Sequence, residues 1–310
     1  MSIFTSTLNQ IAFLFALIAV GYILMKIHFL PQNSAAVLSK LENAVFMPAL
    51  VMGTFIKNFT AERISSAGGL LIISFILAFI AIPVAIFVSK ALTKDKYIQK
   101  IYTYGLSFSN FGFMGNAVVS SLFPDIFMEY IIFTLPLWIL IYLWGVPVLL
   151  IADAEKKQSI KDRLKAFVNP MFIAMLIGMV IGIANISLPE WLTKTITISG
   201  DCMSPVAMIL TGVVVSSISL KKTFTNVRIY IISIVRLVII PLAFMLCASF
   251  IDMSQTVYVC AVCTLAMPLG LNTIVIPSAM GKDTSIAAGM AVISHLLSLV
   301  TIPLIFTFIK

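Results

Sequence analysis

One apolar stretch late in the chain, residues 267–281, cannot form a single unbroken helix. It is hydrophobic enough to lie in a lipid bilayer, yet it contains two prolines, two glycines and the amide of Asn272. A proline removes one backbone N–H and clashes with the preceding turn, so carbonyl groups near Pro268 and Pro277 lose their helical partners. In lipid an unpaired backbone group costs several kcal/mol, so an irregular segment persists there only where protein or a wet cavity surrounds it.

A similar interrupted stretch lies 156 residues earlier, around Asn116. Two interrupted membrane segments at matching positions in two halves of a chain are typical of the binding site of a secondary transporter. We therefore expect broken helices at both stretches and a substrate site between them. The expected break residues are Gly115, Pro268, Gly270 and Pro277. The expected substrate-binding residues are Ser109, Asn110, Asn116, Ser120, Arg236, Asn272, Thr273 and Ser278.

The overall composition predicts a polytopic membrane protein. Hydrophobic residues make up 61% of the 310 residues, charged residues only 10%, and the mean hydropathy is +1.11, whereas soluble proteins have about 25% charged residues. A helix needs about 20 apolar residues to cross a bilayer. The candidate spans are 8–30, 34–56, 65–90, 98–123, 126–152, 168–188, 192–218, 228–251, 256–281 and 284–308. They leave no room for a soluble domain.

The distribution of basic residues predicts the topology. The net charge is +8, but the basic residues lie between spans and have no aromatic residues interleaved, which argues against nucleic acid as a partner. With the N-terminus outside, 15 Lys and Arg residues fall in cytoplasmic connections, four fall outside and Arg236 lies within a span. Positive-inside reasoning then places both termini outside the cytoplasm. The expected location of the protein is the inner (cytoplasmic) cell membrane.

Prolines, glycines and one asparagine recur along the chain with a nearly fixed offset, which predicts an internal repeat. The offsets are all 156 to 158 residues. The pairs are Gly21 with Gly178, Pro31 with Pro189, Pro48 with Pro205, Pro83 with Pro241, Asn116 with Asn272, and Pro147 with Pro303. Each unit holds five spans, an odd number, so the second copy enters the membrane in the opposite sense. We expect repeats at 1–152 and 168–310, a cytoplasmic loop at 153–167, and an all-α fold in which broken helices 4 and 9 cross.

Two acidic residues lie within predicted spans, Glu42 six residues before Pro48 and Asp201 four residues before Pro205. Ionisable groups in a membrane are costly and usually face a bundle interior or a cavity, so both are candidates for coupling transport to protons or sodium. The alternative, open for both acids, is a position at the membrane interface rather than a coupling role; Glu42 would then lie beside Lys40.

Two further ionisable residues lie in the second half. Arg236 near the middle of its span is expected to pair with an internal carboxylate or to meet an anionic substrate. His295 in the last span can titrate near neutral pH and is the third candidate for proton coupling. The alternative for His295 is a hydrogen-bonded structural role.

None of the usual catalytic or metal-binding motifs is complete in the chain: the Cys260-Ala-Val-Cys263 spacing is nominally that of a redox or zinc pair, but no second Cys pair or His cluster accompanies it. His-Glu-x-x-His, Gly-x-Ser-x-Gly and the phosphate-binding Walker loop are all absent, so we expect no enzymatic activity, no metal and no cofactor. The cysteines are expected to serve as small buried packing residues. They are Cys202, Cys247, Cys260 and Cys263.

Several short motifs in order along nearly the whole chain resemble the auxin efflux carrier family, whose prokaryotic members include malate and malonate permease-like proteins. They are Pro48-Ala49-Leu50, Asn110 with Phe113-Met114-Gly115-Asn116, Asn169-Pro170, Gly178, Leu188-Pro189, Ser204-Pro205, Gly212, Met267-Pro268, Pro277 to Asp283, Ser294, Ser298 and Pro303. The resemblance implies ten helices with two crossed, broken helices, similar to bile-acid symporters and sodium/proton antiporters. It also implies transport of organic anions or weak acids.

Taken with the residues, this resemblance favours a secondary carrier of small organic anions that works by alternating access. Its expected partners are the anion, the lipid bilayer and a second copy of the chain. Two alternatives stay open: an intramembrane enzyme, which would need a clustered catalytic pair, and a channel or sensor on a transporter fold.

Overall fold

The computed structural model of the chain describes residues 3–152 and 169–309, and all regular secondary structure in those residues is helical. Extended backbone within them pairs only at one isolated antiparallel bridge, between Ser109 and Leu269. The described residues therefore confirm the all-helical class. The predicted connecting loop at 153–167 lies outside them.

The helices follow the order of the predicted spans, and two of those spans, 98–123 and 256–281, are each divided in two. The helices of the first half are α1 (Ile3–Lys26), α2 (Ser34–Asn58), α3 (Gly68–Leu92), α4 (Lys96–Ser107), α5 (111–122) and α6 (Pro124–Ile151). Those of the second half are α7 (Pro170–Ile183), α8 (Glu190–Ser216), α9 (Val227–Ala248), α10 (Gln255–Leu265), α11 (Asn272–Ala279) and α12 (Ser285–Phe306). Short helices at Ala61–Ser66 and Leu220–Thr225 lie in connections.

Six of these helices, α2, α3, α6, α8, α9 and α12, are long and apolar enough to cross a membrane by length and composition. Their outer faces carry large exposed apolar side chains, such as Phe79 and Phe87 on α3 at 63% and 75% exposure. Such faces are suited to lipid. The chain is therefore a multi-pass membrane protein.

Widened π turns lie on the N-terminal side of two prolines. They span Glu42–Phe46 in α2, just before Pro48, and Val235–Ile239 in α9, just before Pro241. A proline ring clashes with the carbonyl group four residues earlier, which in both helices belongs to the π turn. The wider turn gives the ring room and directs Glu42 and Arg236 inward. The prolines in the sequence do not by themselves distinguish such turns from ordinary helix.

Small residues bring the backbones of neighbouring helices into contact, as is usual where lipid provides no hydrophobic drive between helices. Helices α1 and α8 form one of the most extensive pairs. A side chain added at Gly21 of α1 would collide with the carbonyl oxygen of Ile209, and one at Gly212 of α8 would collide with that of Ile18. The two glycines thus fix a reciprocal close approach.

Candidate functional site

The two divided spans meet at their breaks. Residues 108–110 separate α4 from α5, and residues 266–271 separate α10 from α11; we call these two segments the crossing. The Asn110 N–H donates to the carbonyl of Pro268 at 2.7 Å, next to the bridge between Ser109 and Leu269. Gly270 lies so close to the carbonyl oxygen of Phe108 that an added Cβ would be 3.0 Å from it. The broken helices therefore touch through their irregular backbone.

Each break leaves carbonyl groups without the N–H four residues later that a helix would supply. The carbonyl of Leu106, at the end of α4, has no helical partner because the Asn110 N–H goes to Pro268 instead. The carbonyl of Thr264, at the end of α10, has none because Pro268 carries no N–H. The C-terminal ends of α4 and α10 thus present partial negative charge inside the protein.

Arg236 of α9 supplies the missing donors. Its side chain is 1% exposed, and its three nitrogens donate to the carbonyls of Leu106 at 3.0 Å, Thr264 at 3.2 Å and Met267 at 3.3 Å. The guanidinium therefore joins the ends of α4 and α10. We expected Arg236 to pair with a carboxylate or to meet a substrate; its partners in the described residues are backbone carbonyl groups.

Asn110 and His295 form a buried pair beside the crossing. The Nδ1 of His295 is 2.8 Å from the carbonyl of Ala291, so Nδ1 carries the proton and donates it. The other ring nitrogen, Nε2, then accepts from the Asn110 amide Nδ2 at 3.0 Å. Both ring nitrogens are thus satisfied, which favours the structural role for His295 over proton coupling.

Asn272, the first residue of α11, contacts Tyr104 of α4. Its Nδ2 donates to the Tyr104 hydroxyl at 2.7 Å. The side-chain oxygens of Asn110, Asn116 and Asn272 are all buried and have no hydrogen-bond partner in the described part of the chain. The three amide oxygens are therefore free acceptors, while the Nδ2 of Asn110 and of Asn272 each uses one of its two N–H groups.

Two small cavities adjoin the crossing. One, of about 20 Å³, lies beside Arg236 and is lined by Ser107, Ser109 and Thr264. The other, of about 10 Å³, lies beside Tyr104 and Asn272. Each has room for about one water molecule, so the crossing is closed in this conformation.

The remaining predicted binding residues divide into those at the crossing and those beyond it. Ser109 Oγ donates to the Thr264 carbonyl at 2.7 Å, and Thr273 Oγ1 donates to the Gly270 carbonyl at 2.9 Å. Ser120 lies one turn beyond Asn116 and is exposed. Ser278, near the far end of α11, is half-buried.

The predicted break residues fall in two places. Pro268 and Gly270 lie within the crossing. Gly115 lies in the π turn that opens α5, where an added Cβ would collide with the hydroxyl of Tyr130. Pro277 lies inside α11, which continues past it to Ala279.

The two predicted acidic residues lie in different surroundings. Glu42 is completely buried in the π turn of α2, and neither of its oxygens has a partner in the described residues. Asp201 is exposed on α8 and lines a cavity of about 310 Å³ between α2, α6 and α8. Lys57 of α2 and Met128 and Ile131 of α6 line the same cavity.

Aromatic residues also build the site, and the sequence does not single them out. Tyr130 of α6 donates its hydroxyl to the carbonyl of Phe111 at 3.1 Å, and Trp138 packs edge-on against the Phe111 ring with centroids 5.1 Å apart. In an apolar span such residues look like ordinary packing. Among the residues that the structure describes, no group of three or more His, Cys, Asp and Glu side chains is placed to hold a metal ion.

Long apolar helices and a buried crossing of two interrupted helices are typical of membrane transporters. Comparison with known families agrees. The pattern of the membrane transport protein family matches residues 6–162 and residues 154–306, nearly the whole chain. The chain belongs to this family, the auxin efflux carrier family, as its motifs predicted. A search among curated proteins finds no significant match.

Proposed function

We propose that the protein is a secondary carrier of small organic anions, such as dicarboxylates or auxin-like acids, that works by alternating access. The observation that carries this proposal is the buried charge of Arg236 at the crossing. No carboxylate pairs with it among the described residues, and its hydrogen bonds go to carbonyl groups. A permanent positive charge in the middle of a membrane protein favours an anionic ligand.

The helix ends at the crossing add little net charge. The N-terminal ends of α5 and α11 contribute about +0.5 each, and the C-terminal ends of α4 and α10 contribute about −0.5 each. These four ends cancel, so Arg236 leaves the crossing with roughly one positive charge. An anion that loses its hydration shell on entering the membrane would regain part of the lost solvation free energy at the crossing.

The free amide oxygens refine the expected substrate. Asn110 and Asn272 each use one N–H group, on His295 and Tyr104, and their side-chain oxygens have no partner in the described residues, so they offer acceptors at the crossing. A hydroxyl or N–H group on the substrate would satisfy them. We therefore favour an anion that also carries a hydrogen-bond donor.

The cavity of about 310 Å³ between α2, α6 and α8 supports a route to this site. Its volume suits a small ligand. Ile131 lines its wall, and the preceding residue, Tyr130, donates to the carbonyl of Phe111 directly after the crossing. A carrier that is closed at the crossing and open to one side has the features expected of one state of alternating access.

The finer architecture belongs to the same proposal. It comprises ten spans in two inverted repeats, 1–152 and 168–310. The loop 153–167 lies on the cytoplasmic side and both termini lie on the outer side, as the distribution of basic residues predicts. The carrier forms a homodimer in the cytoplasmic membrane. With the cytoplasm negative, each exported monoanion gains about 2.3 kcal/mol per 100 mV. Export can therefore run without coupling, whereas uptake needs a coupled cation.

Counterflow in proteoliposomes tests the proposal. We expect liposomes loaded with unlabelled malate to exchange it for labelled malate with saturable kinetics, and succinate, which lacks the hydroxyl donor, to compete less well. Protein-free liposomes are the control. Flux that rises with concentration without saturating indicates a channel, and the absence of flux for malate, succinate and indole acids contradicts the proposal.

A further inference from the structure

The surroundings of the Glu42 carboxyl group offer nothing that would stabilise a negative charge. It is 0% exposed, and both of its oxygens lack hydrogen-bond partners in the described residues. An ionised carboxylate in such surroundings would cost many kcal/mol, so a group like this binds a proton or is neutralised by a cation. We therefore infer that Glu42 is the neutral acid in this conformation.

The helices packed against Glu42 do not supply a counter-charge. The π turn Glu42–Phe46 lies against α7, both halves of α8, and α11. Helices α7 and α11 contain no charged residue. The charged and titratable groups on α2 and α8 are Lys40, Lys57, Glu190, Lys194, Asp201 and Cys202, none of which hydrogen-bonds to Glu42.

The position of Glu42 links it to the broken helices. The next residue, Asn43, donates from Nδ2 to the carbonyl of Ser39 at 2.7 Å and to that of Val275 on α11 at 3.1 Å. Helix α11 begins directly after the crossing. A movement of α11 relative to α2 must break the contact between Asn43 and Val275, and it would uncover the neighbouring carboxyl group.

We propose that Glu42 is the proton-coupling residue of this carrier, an inference that rests on the proposed transport function. The carboxylate binds one proton when α11 moves away and water reaches it. The neutral acid is buried when α11 closes on α2, and the proton is released when the group is next exposed. Since the closed contact excludes the charged form, the carrier passes through this conformation only with the proton bound.

The other two candidates fit this role less well. His295 already uses both ring nitrogens, on Ala291 and Asn110. Asp201 is exposed to a cavity that also contains Lys57, so its charge is tolerated and need not change. Of the two acidic candidates, only Glu42 lies where an ionised carboxylate has no partner among the described residues.

Infrared spectroscopy tests the protonation state without any substrate. We expect the purified protein to show, at neutral pH, the C=O stretching band of a neutral carboxylic acid, and Glu42→Gln to lack it. Glu129→Gln is the matched control, because Glu129 is half-buried with one unpartnered oxygen; its band pattern should match the native protein. Absence of the band from the native protein, or its persistence in Glu42→Gln, overturns the proposal.

Gradient-driven transport tests the coupling. With the membrane potential clamped at zero, a pH gradient of one unit, acid outside, should drive about tenfold accumulation of labelled malate, because one pH unit is 1.36 kcal/mol per proton. Glu42→Gln should keep counterflow and lose accumulation, whereas Glu129→Gln and the acid-conserving Glu42→Asp should keep both. Accumulation that survives in Glu42→Gln, or that follows a sodium gradient instead, contradicts the proposal. If native protein exchanges no malate, the proposed function fails for that probe, and the infrared result still decides whether Glu42 holds a proton.

Discussion

Arg236 on α9 and Glu42 on α2 are almost equally buried, at 1% and 0% exposure, yet only the arginine has hydrogen-bond partners. The difference follows from their chemistry. A guanidinium does not give up its proton in a protein, so its donors must be satisfied wherever it lies. A carboxylate can bind a proton and become neutral, so it can be buried without partners, although its unused oxygens still cost some free energy. The partners of a buried charge thus indicate whether that charge is permanent or variable.

The largest expected effect is the loss of the Arg236 side chain. Arg236→Met leaves the carbonyls of Leu106 and Met267 without donors, whereas the Thr264 carbonyl keeps the Ser109 hydroxyl. Each buried unsatisfied group costs about 1–3 kcal/mol, so for two such carbonyls we expect destabilisation of about 2–6 kcal/mol, measured by denaturant unfolding in detergent, with loss of transport. Arg236→Lys keeps the charge but not the three-way geometry and should lose less. An unchanged stability for Arg236→Met would show that the three hydrogen bonds do not hold the crossing together.

The next effect separates two asparagines that occupy equivalent positions in the predicted repeats. Asn272→Ala removes the hydrogen bond to Tyr104 and should cost about 1–3 kcal/mol of stability. Asn116 makes no side-chain hydrogen bond with the described residues, so Asn116→Ala should barely change stability. As a predicted substrate contact, Asn116 should instead affect affinity, raising the apparent KM about fivefold or more. Equal stability losses in the two variants, measured by thermal unfolding, would contradict this distinction.

The crossing shows how far the sequence predicts such a site. The prolines and glycines around Pro268 indicate where the helix breaks, because their backbone chemistry acts locally. The partners of Arg236 could not be predicted, since they depend on which carbonyl groups the two breaks leave free and on α9 lying beside both. The orientation of Asn110 depends likewise on His295, which is 185 residues away in sequence.

The helical class and the membrane location follow from composition and periodicity, and both are confirmed. The π turn at Glu42 has no local signature apart from the proline that follows it. The burial of Glu42 results from the packing of α7, α8 and α11 around that turn. The sequence leaves Glu42 open between interface and interior, and three-dimensional packing places it in the interior.

A smaller effect is expected from the charges in the cavity of about 310 Å³. Lys57 and Asp201 are exposed, so their fields are weakened by solvent and salt. For an anionic substrate, Lys57→Gln should raise the apparent KM about two- to fivefold, and Asp201→Asn should lower it by a similar factor. Both shifts should shrink at high ionic strength. Shifts of the same sign in the two variants, in counterflow measured at low and high salt, would show that this cavity is not on the anion's route.

The smallest expected effect on stability is that of Glu42→Gln, although we expect this substitution to abolish proton-coupled accumulation. Glutamine has nearly the shape of a neutral glutamic acid, and the native side chain makes no hydrogen bond that the substitution could break. We expect the free energy of unfolding at neutral pH to change by about 0.5 kcal/mol or less, as for substitutions that disturb no packing or network. The same measurement on Arg236→Met provides the contrast. A neutral amide can replace a neutral acid, but it cannot replace a carboxylate that binds a cation. A loss of several kcal/mol in Glu42→Gln would therefore mean that the native carboxylate is ionised and held by a bound cation.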